Sequence, residues 1–260
     1  MTKILQIIPT PPNYADGISD YALQLATQLH QDFQVDTQFL VFRNDLQVEP
    51  SVSGFSMQQL SIHTAEKFRA AIPVDIQAII LHFSAYPYFN TSLKGSFGVG
   101  TPFWLVDALR SVVTVQPIKL VVMFHELPKL YWKQFYVFDF LNPIQCIVSR
   151  RLAQMADTVV TSSNRFQSVL STWIGKDVAK LSIFSSMGEP TSIIPLRSRQ
   201  RRLIIFGGSA RARIYNNHSL ALIQSCQLLE IDKIYDIGST LNCKFSIRAG
   251  SQKSGRDRDQ

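Results

Sequence analysis

Residues 118–126 read IKLVVMFHE, and this stretch decides the fold class. Six of the seven residues before the histidine are apolar, which is typical of a strand that is buried on both faces of a sheet. The run at 78–83, AIILHF, has the same character. Two such strands in one chain predict a parallel sheet with helices covering both of its faces.

On either side of these strands, short apolar runs alternate with stretches at helical spacing. Further strands are predicted at 3–8, 35–42, 55–60, 158–161 and 181–184. Helices are predicted at 18–30, 62–71, 102–113, 143–156 and 164–174. Asn164 is the predicted cap of the last helix, and Gly175 its predicted end. The alternation of strands and helices predicts that residues 1–185 form one doubly wound, Rossmann-like α/β domain.

A second region follows a linker at 186–201 that is rich in Ser, Pro and Arg. The pattern restarts there with a predicted strand at 202–206, a helix at 219–229 and a strand at 233–237. Residues 202–240 are therefore predicted to begin a second Rossmann-like domain, which needs several more strands to be complete. We expect this second domain to be truncated and residues 241–260 to be a basic, disordered tail.

The positive charge is concentrated at one end of the chain. The 260 residues carry a net charge of +7, and residues 195–260 hold 12 Lys and Arg against 5 Asp and Glu. Residues 1–194 hold 14 of each sign. The basic end is a candidate for peripheral contact with an anionic membrane surface, whereas no nucleic-acid partner is expected.

Composition and cysteine content narrow the class of protein. Hydrophobic residues make up 46% and charged residues 17%, as in a globular chain. Cys146, Cys226 and Cys243 are widely spaced, which fits a reducing compartment and indicates neither a disulfide framework nor a metal site. No signal peptide or spanning segment is recognisable, so we expect a cytoplasmic protein that contacts membranes peripherally at most.

The first candidate for ligand binding follows the first strand, because ligands of parallel sheets bind at the carboxyl ends of the strands. There a proline-rich loop leads into Asp16 and Gly17. A glycine allows close approach of the backbone to a ligand, and the N-terminus of the following helix offers N–H groups to a phosphate. The plainer alternative is a loop glycine, with Ser19 or Asp20 capping the helix.

The second candidate is His125, directly after the strand at 118–124. A neutral imidazole at this edge both donates and accepts hydrogen bonds to a ligand. Glu126 is placed to orient the histidine or to bind a hydroxyl group. His82 and Tyr86, after the preceding strand, are weaker candidates of the same kind. The alternative is a histidine that only ends its strand.

The third candidate lies in the second region. Gly207 and Gly208 allow a tight turn after a strand, and Arg211 and Arg213 are placed to neutralise a diphosphate. The alternative is a pair of arginines on a solvated loop. No Gly-x-Gly-x-x-Gly motif follows the first strand, which disfavours a dinucleotide cofactor, and no residue spacing is typical of a metal site. We therefore expect neither cofactor nor metal.

Taken in order, four segments resemble the two-domain GT-B glycosyltransferases, and within them family four, which uses nucleotide-sugar donors. The resemblance covers about residues 1–240. The segments are ADGISDY at 15–21, FHE at 124–126, VSRRLAQMADTVVTSS at 148–163 and RRLIIFGG at 201–208.

The resemblance implies a GT-B architecture that transfers a sugar from a nucleotide-sugar co-substrate to an acceptor. His125 is then the catalytic residue, beside the transferred sugar. The donor phosphates are assigned to Gly17, Gly208, Ser209, Arg211 and Arg213. The acceptor side is assigned to Asp16, Asp20, His82, Tyr86 and Glu126.

The chain departs from the family pattern in its second region. The family usually has an arginine soon after the second-domain glycine and a lysine a few residues later, whereas here Ser209 follows Gly208 and the next lysine is Lys233. The late acidic motif of the family does not occur. We therefore expect impaired or absent transfer. A non-catalytic binding module on the same fold is the alternative, followed by another Rossmann-like enzyme such as an oxidoreductase or epimerase, which the missing glycine motif disfavours.

Overall fold

The computed structural model describes residues 2–12, 14, 16–42, 46–60, 64–84, 88, 102–128, 142–182, 192–206 and 214–237. The chain divides into two units, Met1–Glu189 and Pro190–Gln260, which are described separately. The donor-phosphate candidates Gly208, Ser209, Arg211 and Arg213, the acceptor candidate Tyr86 and the tail at 241–260 lie outside the described residues.

The first unit is built on one sheet, to which the described residues contribute eight strands. These are β1 Lys3–Ile8, β2 Asp36–Val41, β3 Ser51–Val52, β4 Phe55–Gln59, β5 Ala78–Phe83, β6 Lys119–Phe124, β7 Thr158–Thr161 and β8 Ala179–Lys180. Their order across the sheet is β3-β4-β2-β1-β5-β6-β7-β8, and only the β3–β4 pair is antiparallel. β1 is followed by β2 on one side, whereas β5 lies on the other side of β1 and is followed by β6 farther out, so the β1–β5 junction is the topological switch point.

Five helices connect these strands in the described residues. They are α1 Gly17–Phe33, α2 Ala65–Ala70, α3 Phe103–Val113, α4 Asn142–Met155 and α5 Asn164–Ile174. The sheet is covered on both faces, since alternate residues of β1 enter different clusters. Leu5 and Ile7 are buried with residues of α3 and α4, whereas Ile8 is buried with Ala22 and Ala26 of α1. This is the doubly wound, Rossmann-like α/β fold that the sequence predicts.

The second unit contains a β-α-β arrangement in its described residues. β9 Arg202–Phe206 and β10 Lys233–Ile237 pair in parallel, and α6 Ser219–Leu228 lies between them in the chain. Both strands have the predicted bounds. None of the described helices in either unit has the length and hydrophobicity needed to cross a bilayer.

Two local predictions differ from the structure. In place of the strand predicted at 181–184, the chain forms β8, which ends at Lys180. The main-chain N–H of Leu181 donates the last hydrogen bond from this segment to β7, to Thr161 O, and β7 ends at Thr161. Residues 183 and 184 lie outside the described part. The cap of α5 is Ser163, without a side-chain hydrogen bond, rather than Asn164. Gly175 ends that helix as predicted, in the left-handed region at φ 64°.

The core makes a direct prediction about stability. Val122 on β6 is completely buried, whereas Val74 is 97% exposed. Val122→Ala removes buried methyl groups and leaves a cavity, so we expect it to lower the free energy of unfolding by about 2 kcal/mol. The same substitution at Val74 is the matched control and is expected to change stability by less than about 0.5 kcal/mol. Urea unfolding measures both, and equal effects would contradict the assignment of β6 to the core.

Candidate functional site

Polar side chains collect where β1, β5 and β6 end, at the switch point of the sheet. β1 leads into the loop before α1, β5 ends at Phe83, and β6 runs directly into His125. The main chain of His125 donates a hydrogen bond to Phe83 O at 3.0 Å, so the pairing of the two strands continues one residue beyond them. The backbone of His125 is therefore held by the sheet.

Asp16 organises the start of α1. It is the N-cap residue, and its Oδ1 accepts a hydrogen bond from Ile18 N at 3.3 Å. The Thr10 hydroxyl donates to Asp16 Oδ2. The completely buried Ser19 hydroxyl lies 2.8 Å from that same oxygen and 2.5 Å from Thr10 O. The cap is thus Asp16 rather than Ser19 or Asp20, because the helix begins at Gly17, and the carboxylate ties the proline-rich loop to the helix.

Gly17 is exposed beside this capped turn. A Cβ built on it would meet no atom within 4 Å. There is therefore room against this backbone for a ligand, at the N-terminus of a 17-residue helix. Helix N-termini favour anions through their unpaired N–H groups.

Two histidines and a glutamine form a row across neighbouring strands, which we call the histidine row: Gln6 on β1, His82 on β5 and His125 after β6. His82 Nε2 lies 2.7 Å from Gln6 Oε1, and His82 Nδ1 lies 3.0 Å from His125 Nε2. The two imidazoles stack with centroids 5.3 Å apart and planes at 22°. Tyr21 of α1 packs edge-on against His125, with centroids 5.3 Å apart. Gln6 and His82 are completely buried, whereas His125 is partly exposed.

Burial keeps both imidazoles neutral. It lowers the pKa of His125 from 6.5 to about 4, and the negative charge of Asp16 opposes that shift. The pKa of His82 is held well below its ordinary value by burial and by the neighbouring His125. At neutral pH each ring therefore carries one N–H group and one lone pair.

Three carboxyl groups, those of Asp16, Asp20 and Glu126, belong to the segments beside this site. The Ser84 hydroxyl donates to Glu126 Oε2 at 3.1 Å, which links the segment after β5 to the segment after β6. The pKa of Asp20 is raised, first by burial and then by the negative charge of Asp16. Within the ranges that the structure describes, no group of three or more His, Cys, Asp or Glu side chains is arranged to hold a metal ion.

The structure brings Asp16, His82 and His125 together among the residues proposed from sequence. His82 differs from its proposed role, since it is completely buried and has no surface with which to contact an acceptor. Sequence reasoning missed Gln6, although a glutamine within the apolar strand KILQII is a recognisable signal of a buried polar function. It also missed the Tyr21 and Ser84 contacts, which join residues distant in sequence.

Comparison with known proteins places the fold. No protein-family model and no curated protein sequence matches the chain. Among solved structures it resembles sucrose-phosphate synthase from Thermosynechococcus elongatus, a GT-B glycosyltransferase, with a TM-score of 0.57 and 12% identity over 92% of this chain and 70% of that one. At this identity the likeness concerns the fold, and the chain accordingly has a GT-B-like α/β fold.

Two weaker likenesses have TM-scores below 0.5 and indicate no closer relationship. One is to a nucleoside-diphosphate-sugar epimerase from Agrobacterium tumefaciens, at a TM-score of 0.39 and 16% identity over 62% of this chain and 52% of that one. The other is to the Bordetella bronchiseptica enzyme WbmF in complex with NAD+, at a TM-score of 0.38 and 11% identity over 62% of this chain and 48% of that one.

The lowered pKa of His125 predicts a loss of stability in acid. Between pH 6.5 and about 4 the unfolded chain binds a proton at this histidine and the folded chain does not, so the free energy of unfolding falls as the pH is lowered through this range. The full shift corresponds to about 3 kcal/mol. We expect His125→Gln to lose less stability between pH 7 and pH 4 than the wild type in urea unfolding. Identical curves for the wild type and His125→Gln would contradict the assignment.

Proposed function

We propose that this protein is a glycosyltransferase that transfers a sugar from a nucleotide-sugar donor to an acceptor hydroxyl, with His125 beside the transferred sugar. The observation that carries the proposal is the neutral, partly exposed His125 at the switch point of a GT-B-like fold. A neutral imidazole there binds sugar hydroxyl groups without introducing charge. The carboxyl groups of Asp16, Asp20 and Glu126 suit a ligand rich in hydroxyl groups, which donate hydrogen bonds to them.

The donor phosphates need a different environment, because negative charge grows on the leaving diphosphate during transfer. On the first unit we assign them to the N-terminus of α1 at Gly17, where the backbone is open. On the second unit we assign them to Gly208, Ser209, Arg211 and Arg213 by resemblance. Ser209 in place of the usual arginine predicts weak donor binding and slow transfer. No metal or further cofactor is part of this proposal, and peripheral contact of the basic end with an anionic membrane remains a separate expectation.

The test compares sugar-dependent binding in matched histidine variants. We expect calorimetric titration with a panel of nucleotide sugars to give tighter binding of one donor than of its nucleoside diphosphate alone. His125→Ala removes a hydrogen-bonding group and is expected to reduce that difference by about tenfold in affinity. His30→Ala, at an exposed histidine, is expected to leave it unchanged.

The outcomes separate the alternatives. If every nucleotide sugar binds no better than its nucleoside diphosphate, or if His125→Ala has no effect, the proposed site is wrong. Sugar-dependent binding through His125 without any turnover on a range of acceptors would favour the non-catalytic binding module.

Gly17 provides a second, independent prediction. Because a Cβ at this position meets no protein atom, Gly17→Ala is expected to fold normally and to change stability by less than about 1 kcal/mol. The added methyl group occupies the space assigned to the donor phosphates, so we expect the affinity for the nucleoside diphosphate itself to fall by about tenfold. Unchanged nucleotide affinity in a normally folded Gly17→Ala protein would remove Gly17 from the phosphate site.

A further inference from the structure

The two hydrogen bonds of the histidine row run in the same direction from donor to acceptor. This direction follows from the hydrogen-bonding capacity of each group. Gln6 presents its carbonyl oxygen to His82, and an amide oxygen only accepts. His82 Nε2 therefore carries the ring proton, and His82 Nδ1 is left as an acceptor. Because that acceptor lies 3.0 Å from His125 Nε2, the proton of neutral His125 resides on Nε2 and its Nδ1 keeps a lone pair.

We propose that Gln6 and His82 are positioning residues that set the tautomer of His125, so that His125 meets its ligand with Nδ1 as a hydrogen-bond acceptor. Nδ1 of His125 has no hydrogen-bond partner within the described residues. The ligand group that fits it is a donor, such as a hydroxyl, and not an anionic oxygen. That last step rests on the proposed function, whereas the tautomer is a property of the unliganded chain.

The unfavourable burial of Gln6 supports a role beyond folding. Within the described residues, Gln6 Nε2 is buried without a hydrogen-bond partner. An unpaired buried donor destabilises the folded state, and the four Ile and Leu residues of β1 show that apolar side chains fit the same strand. A glutamine at this position makes sense physically if its carbonyl oxygen is needed to orient His82.

Neighbouring contacts hold the row in place. The Tyr88 hydroxyl donates to His82 O, which fixes the backbone of the buried histidine beside its ring. Tyr21 packs edge-on against both imidazoles, with centroids 6.2 Å from His82 and 5.3 Å from His125. Rotation of either ring is restricted by these contacts, so the proton arrangement is determined by the hydrogen bonds along the row.

The experiment reads the tautomer directly, without any ligand. Long-range ¹H–¹⁵N correlation spectra of the 260-residue protein at pH 7 distinguish protonated from unprotonated ring nitrogens. Spectra of His82→Gln and His125→Gln assign the signals. We expect both His82 and His125 to be protonated on Nε2. A wild-type His125 protonated on Nδ1 would show that the row runs in the opposite direction and would overturn the proposal.

Gln6→Met tests the positioning role, with Gln145→Met as the matched control. Gln145 is also a buried glutamine whose Nε2 lacks a partner within the described residues, but it lies on α4. We expect Gln6→Met to convert His125 into a mixture of both tautomers and Gln145→Met to leave the wild-type pattern. An unchanged His125 in Gln6→Met would show that Gln6 does not set the tautomer. Should Gln6→Met not fold, the wild-type spectrum still decides the direction of the row.

Titration of a nucleotide sugar separates this proposal from the proposed function. We expect the sugar-dependent gain in affinity to fall several-fold in Gln6→Met, and the Gln6→Met/His125→Ala double variant to lose no more than His125→Ala alone, since both changes act through one group. Additive losses would contradict a role of Gln6 through His125. The expected tautomers with no sugar-dependent binding would support the row and reject the sugar ligand.

Discussion

The parallel pairing of β1 with β2 on one side and β5 on the other is the constraint on which the rest of the first unit depends. The chain runs from β1 toward β2 on one side and from β5 toward β6 on the other, so the segments that follow β1 and β5 diverge at the carboxyl edge. The register of these strands then decides which side chains lie at this edge. Gln6 lies opposite Ile80, two residues before His82, and His82 lies opposite Met123, two residues before His125. The three side chains therefore lie on neighbouring strands, each displaced by two residues from the next.

Burying the polar histidine row in the centre of the sheet is energetically unfavourable. This burial determines the protonation state of its two imidazoles. Removed from water, an imidazole is stable only in its neutral form, and each of its nitrogens then has one defined role. Exposed histidines exchange tautomers readily through water. His82, between Gln6 and His125, is completely buried, so the buried amide and the partly exposed ring are coupled over two hydrogen bonds.

The anionic and neutral parts of a nucleotide sugar make opposite demands on a protein. Diphosphate favours helix N-termini and arginines, whereas a sugar favours neutral acceptors and carboxylates. In the first unit these environments are adjacent, because Asp16 caps the same helix whose exposed Gly17 begins it. The hydroxyl groups of Thr10 and Ser19, both at Asp16 Oδ2, hold the Asp16 carboxylate in place.

The sequence by itself determined the doubly wound fold, the bounds of β1, β5, α5, β9 and β10, and the position of His125 at the end of a central strand. These features depend on local hydrophobic patterning and on the rule that parallel strands end at the same edge. It did not reveal the two-residue strands β3 and β8, since edge strands that short carry no pattern of their own. Only the tertiary structure decided that His82 is a buried support rather than a ligand contact, and that Gln6 belongs to the site. Those roles arise from contacts between residues up to 76 positions apart, which the register of neighbouring strands creates and no local pattern encodes.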